Sequence, residues 1–190
     1  MLGAGGHAAV AADAWESAGG QVIAFHSDDP SGVAVAGPLS LAIASDDELH
    51  IAIGDNSARR RVAQGLADAR FPIIRHVSTI VGKGVLVGPG TLICAAAVLQ
   101  PRCRLGRHAI VNTGAIVEHD CDISDFVHVA PGARLAGGVT LGEGAFVGIG
   151  AVVIPGIRIG AFAAVGAGAV VTRDVDPETT VVGNPARRLR

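Results

Sequence analysis

Aromatic side chains are nearly missing from this chain. Tyrosine is absent, tryptophan occurs once and phenylalanine five times in 190 residues. A surface that stacks nucleic-acid bases has little to be made from, and the core must consist of small aliphatic side chains. An excess of positive charge is also missing. Fifteen Lys and Arg face seventeen Asp and Glu, a net charge of −2 that argues against a nucleic-acid-binding face. The first twenty residues contain Asp13 and Glu16 but no basic start and no long apolar run, so neither a signal peptide nor a membrane span is expected. The three cysteines are odd in number and form no CxxC pair, which fits a reduced, cytoplasmic chain. Apolar residues still make up 49%, enough for a real core and against global disorder.

Two regions differ in their patterning. Residues 1 to 72 read as an α/β, Rossmann-like domain: a glycine turn, a helix ending at Gly19-Gly20, a short strand "QVIAF", a strand "ELHIAIGD" and a helix "NSARRRVAQGLADA" with Asn56 or Ser57 as N-cap. Only Met1-Leu2 precede the glycine turn, so the first strand is expected to be cut short and this domain weakened. "GAGGHA" at 3–8 fits the G-x-G-x-x-A phosphate turn, weak evidence when alone.

Residues 73–190 follow a hexad. Sixteen consecutive positions six apart, from Val81 to Val171, are all aliphatic, and the residue four later is mostly small, including Cys103 and Cys121. A strict hexad predicts a parallel β-helix in which three short strands close one triangular coil. The aliphatic residue points inward, and the glycine that often follows it is expected to relieve the turn. Cys103 and Cys121, eighteen residues apart, fall in one inward column and read as small core residues. "IVEHDCDIS" at 116–124 is the polar interruption: Val117, Cys121 and Ile123 obey the hexad, while Glu118, His119 and Asp120 fall on its outward turn. His128 precedes inward Val129 and is expected to face outward, and Asn112 follows inward Val111.

With "GAGGHA", "HIAIGDNSARRRV" at 50–62, the hexads, "VNTGAIVEHDCDISDFVHVAPGA" at 111–133 and "VVGNPARRL" at 181–189, the chain resembles the bacterial nucleotide-sugar acetyltransferases, the group of the sialic acid O-acetyltransferases and UDP-4-amino-sugar N-acetyltransferases. The resemblance implies a left-handed β-helix, a homotrimer with sites between neighbouring prisms, acetyl-CoA as donor, and a UDP-linked amino-sugar as acceptor. No metal is needed. It implies His119 as general base, oriented by Asp120 where the family usually has glutamate, with Glu118 the weaker substitute. His128, Gly137, Ile149, Gly166, Ala167 and Arg187 are implied at acetyl-CoA, with Arg188 and Arg190 as further phosphate contacts. Gly5, Gly6, His7, Asp28 (or Asp29), Gly54 and Asn56 are implied at the nucleotide-sugar, with Arg60 in reach of phosphate and Asn112 near the base. His108 matches no motif and reads as structural or exposed. O-acetylation of a sugar is the nearest alternative. A γ-carbonic-anhydrase-like metal site on His108, His119 and His128, and a non-catalytic scaffold, are the remote ones.

Overall fold

The computed structural model describes residues 1–28, 33–38 and 47–189. Helix α1 (Gly6–Ser17) buries Ala8, Ala11, Ala12 and Ala14 on one face. It stops at Gly19-Gly20, where Gly19 is left-handed (φ +88°) and a Cβ on Gly20 would overlap the Trp15 ring. Helix α2 (Asn56–Gln64) is capped by Asp55, whose carboxylate accepts from the Ala58 N–H at 2.7 Å. That corrects the expected cap at Asn56 or Ser57; Asn56 is instead drawn into the prism. Leu2, just before the glycine turn, occupies the centre of a small sheet, bridging in parallel to both His26 and Ile51.

From Ile74 onward the hexads fold into a parallel β-solenoid of two-residue strands. Strands pair with the one eighteen residues later, as Ile116 with Arg134 and Val117 with Leu135, until Ala164–Val165 pairs with Thr180–Val181. Three walls result. The first runs from Ile74–Arg75 through His128–Val129 to the closing hairpin Thr180–Val182 and Arg187–Arg188; the second from Ile80–Val81 to Val170–Val171; the third from Leu86–Val87 to Arg158–Ile159. The inward aliphatic residues are buried, except Val81 and Val87 in the first, open coil, which are half-buried. Burying each such side chain is worth about 1.5–3 kcal/mol, so the prism has a continuous source of stability along its axis.

The turn differs from expectation in one respect. The left-handed residue is not the one after the aliphatic but two further on: every sixth residue from 84 to 168 has positive φ. The glycine after the aliphatic serves coil stacking instead. A Cβ on Gly82 or Gly142 would lie 2.6 Å from backbone nitrogen in the next coil.

The walls are not equivalent. On the first wall the outward residues Ile74, Leu92 and Ile110 are buried, together with Cys94, under Ala8, Ala11 and Ala14 of α1. On the third wall the corresponding residues include the exposed Arg104, Asp122 and Arg158. On the second wall Ile80 and Arg134 are exposed and Val98, Ile116, Val152 and Val170 are half-buried; among the described residues no element is stacked on them as α1 is on the first wall.

Candidate active site

His119 belongs to the prism, whereas the glycine turn opens helix α1. His119 lies in the turn between the second and third walls, hereafter the second edge. Its side chain is 58% exposed. Its Nδ1 stands 2.8 Å from Asp120 Oδ2, so aspartate reaches the back of the ring despite being one methylene shorter than glutamate. The carboxylate accepts, so Nδ1 carries the proton and Nε2 keeps its lone pair free. Asp120 is held in turn by Arg102 from the preceding coil, Nε to Oδ1 at 2.6 Å and Nη2 to Oδ2 at 2.8 Å. These bonds, from Arg102 first and His119 second, hold its carboxyl far below the usual carboxylate range. Glu118 takes no part in orienting His119. Gly137, expected at acetyl-CoA, lies under the imidazole: a Cβ there would be 2.5 Å from His119 Cε1.

His128 lies on the first wall, buried, and points at the α/β domain. Its protonation follows from its partners. Asn112 Oδ1 accepts from the Thr113 N–H at 2.8 Å, which turns the Asn112 amide nitrogen towards His128 Nε2 at 3.0 Å. Nε2 is therefore the acceptor, and Nδ1–H donates to Gly54 O at 3.2 Å. Burial, then repulsion from Arg59, push its pKa down to about 4, so the ring is neutral near pH 7. His7 is 6.1 Å away between ring centroids and is likewise pushed to about 4, first by burial and then by Arg59.

Arg59 is the residue the sequence reading missed. It is 1% exposed and has no carboxylate partner within salt-bridge distance among the described residues. Its guanidinium donates to the carbonyls of Ile53, Gly54, His108 and Phe126 and to Asn56 Oδ1, at 2.8 to 3.1 Å. It thus joins the strand end at Gly54 to the edge between the third and first walls. Asn56 Nδ2 adds a bond to Gly144 O at 3.0 Å. Arg60, expected near phosphate, instead pairs with Glu143 at 2.8 Å and lies over the Phe162 ring. His108 is fully buried, with its ring stacked on Phe126 and edge-on to Phe71, a structural residue.

Gly5 is the N-cap of α1, and Gly5 and Gly6 are exposed. The helix start leaves backbone N–H groups for an anion, and Gly3 must be glycine there because a Cβ would lie 2.7 Å from Ala52 O. Asp28 is exposed. Asp29 and Arg190 lie outside the described residues. Ile149 and Ala167 share one exposed column on the edge between the first and second walls, the first edge, which Asn112 also occupies; Gly166 precedes Ala167. Arg187 and Arg188 border a cavity of about 180 Å³ with Arg173 and Asp174. A cavity of about 450 Å³ at the far end of the small sheet, lined by Met1, Trp15, Ile23 and His50, includes none of the expected site residues. Among the described residues no group of three or more His, Cys, Asp or Glu could hold a metal ion. His108, His119 and His128 stand apart, on three different parts of the prism.

An oriented imidazole on a hexad prism, beside an α/β domain with an anion-ready helix start, fits the acyltransferases of the hexapeptide class. Comparison with known proteins agrees. Residues 1–66 match the PglD N-terminal domain. Along its full length the chain is similar to PerB of Caulobacter crescentus, solved with CoA and GDP-perosamine (38% identity, 100% of this chain and 95% of that one, TM-score 0.94). It is also similar to the acetyltransferase domain of PglB from Neisseria gonorrhoeae, solved with acetyl coenzyme A (35%, 99% and 97%, 0.92), and to WeeI of Acinetobacter baumannii (32%, 87% and 85%, 0.82). A comparison with curated proteins finds no significant match. The chain belongs to the acetyl-CoA-dependent nucleotide-sugar acetyltransferases of the hexapeptide-repeat superfamily. No helix among the described residues is long and apolar enough to cross a membrane.

Proposed function

We propose that this enzyme transfers acetyl from acetyl-CoA to the amino group of a nucleoside-diphosphate-linked amino-sugar, with His119 as the base. The observation that carries the reading is the His119–Asp120 bond of 2.8 Å, which leaves Nε2 able to accept a proton at an exposed edge. His119 takes the proton that the amine loses as its nitrogen bonds the thioester carbonyl carbon. The C–S bond then breaks, and the proton passes on to the CoA sulfur. His128 cannot donate to the thioester oxygen while Nδ1–H bonds Gly54 O. It acts instead by holding Asn112, whose amide keeps a second N–H.

The site is completed by a neighbouring copy. In one prism His119 is on the second edge, whereas Asn112, Ile149 and Ala167 are on the first, with the nucleotide turn at the first wall. The partly exposed second wall, apolar except for Arg134, lies between these two edges. A homotrimer with that wall at its threefold axis sets the first edge of one copy beside the second edge of the next. His119 of one subunit then faces the donor and acceptor held by another. Gly5, Gly6, His7, Asp28 and Gly54 bind the nucleotide-sugar; Ile149, Gly166, Ala167 and Arg187 bind acetyl-CoA. Asn56 and Gly137 support the site from behind. Three free thiols fit a reducing, cytoplasmic setting.

UDP is the expected carrier. Similarity to a structure holding GDP-perosamine favours GDP as the second possibility. A thiol-release assay with UDP- and GDP-linked 4-amino-sugars, and with hydroxyl sugars such as sialic acid, decides among them. Absence of CoA release with every nucleotide-linked amino-sugar would contradict the proposal; release only with a hydroxyl sugar would replace it with O-acetylation.

A further inference from the structure

We infer that Arg102 is a positioning residue for the reaction: its two-pronged grip fixes Asp120 so that the short aspartate holds His119 in the tautomer a base requires. The inference rests on the reading of His119 as base, and three observations carry it.

The first is geometric. Both guanidinium contacts reach the carboxylate, at 2.6 and 2.8 Å, and the oxygen that takes the second also takes His119 Nδ1. Aspartate has one torsion fewer than glutamate with which to find the ring. A bidentate arginine settles the plane of its carboxylate, which a lysine cannot do.

The second is the backbone. The left-handed column of the second edge runs Gly84, Arg102, Asp120, Gly138, Gly156. Its two non-glycine members are the bonded pair. Arg102 and Asp120 adopt φ of 65° and 61°, where side chains are disfavoured. Glycine holds the column's other three positions; here, beside the base, two side chains are kept in its place, and they meet each other.

The third is what the pair does not do. Both side chains are largely exposed, 66% and 45%. Within one subunit, exposed ion pairs contribute little to folding stability, so the stability of the subunit fold does not account for the pair.

The test is a ¹⁵N-histidine NMR spectrum of the full-length protein at neutral pH, with steady-state kinetics in parallel, for wild type, Arg102→Ala and Arg102→Lys. In wild type, His119 is expected as the Nδ1–H tautomer. In Arg102→Ala, an Nε2–H population appears, and kcat falls about tenfold with KM for both substrates unchanged. Arg102→Lys falls between the two. An unchanged His119 spectrum in Arg102→Ala overturns the inference, as does a loss confined to the KM for acetyl-CoA, which would make Arg102 a donor-binding residue. A wild type inactive on every acceptor, but with the tautomer shift intact, would count against the proposed function and leave the grip of Arg102 on the ring established.

Discussion

Two histidines only nine residues apart in this chain live in opposite environments. His119 stands on an exposed edge in a charged chain of Arg102, Asp120 and imidazole. His128 is buried in a neutral seam of carbonyls and an amide, with the cation Arg59 nearby. The first has an oriented ring with a free lone pair. The second has both nitrogens engaged inside its own subunit and a depressed pKa that keeps it uncharged. An imidazole is therefore assigned a role by what occupies its second nitrogen. In the proposed function the exposed edge serves proton transfer, while the buried seam joins the α/β domain to the prism.

Breaking the exposed side has the largest effect on rate. His119→Ala should lower kcat by about 10²–10⁴-fold and leave the melting temperature unchanged, since the ring is largely solvent-facing. Breaking the seam acts on stability instead. Arg59→Ala leaves several buried carbonyls without a donor, and denaturant titration should find a loss of roughly 3 kcal/mol or more. An Arg59→Ala protein as stable as wild type would remove the seam from this account. A milder change sharpens the comparison. Gly137→Ala places a methyl against His119 while its φ stays ordinary; kcat should fall about 10- to 100-fold with no change in melting temperature.

Acid tests the buried seam as well. Burial pushes the pKa of His7, His108 and His128 down to about 4 from the ordinary histidine value of 6.5. Between those values the unfolded chain binds more protons, so stability falls as pH drops from 6.5 towards 4. Melting temperatures measured across that window should decline. His128→Asn should make the decline shallower, with His7 and His108 still contributing, and a slope identical to wild type would argue that His128 is not buried neutral.

Much of the prism is written in the hexads. Every aliphatic position from Val81 onward falls on an inward column, and the outward residues distinguish the walls: Leu92 and Ile110 under α1, Arg104 and Asp122 in water. The turn was misread because glycine occurs at two places in the hexad for two reasons, coil stacking at Gly82 and positive φ at Gly84. Position 119 was legible as an outward corner. The partner of its ring was not fully so, because Asp120 owes its placement to Arg102, eighteen residues earlier and adjacent only after the coil closes. Arg59 and Arg60 are neighbours in a basic run on α2, and only packing tells which one is buried. Asn56 looked like a helix cap because its type suits one; its amide reaches Gly144, a contact 88 residues away in sequence.

The central claim is that one active site needs the second edge of one subunit and the first edge of another. Subunit complementation tests it most directly. His119→Ala lacks the base. Gly6→Asp sets a carboxylate at the nucleotide turn, where a Cβ meets nothing within 4 Å, so the fold is spared. Each alone should be inactive. After the two are unfolded together and refolded at equal amounts, shared sites should restore about a quarter of wild-type activity by random assembly of trimers. A mixture as inactive as its components, with mixed oligomers demonstrated by mass, would contradict the claim and confine the site to a single chain.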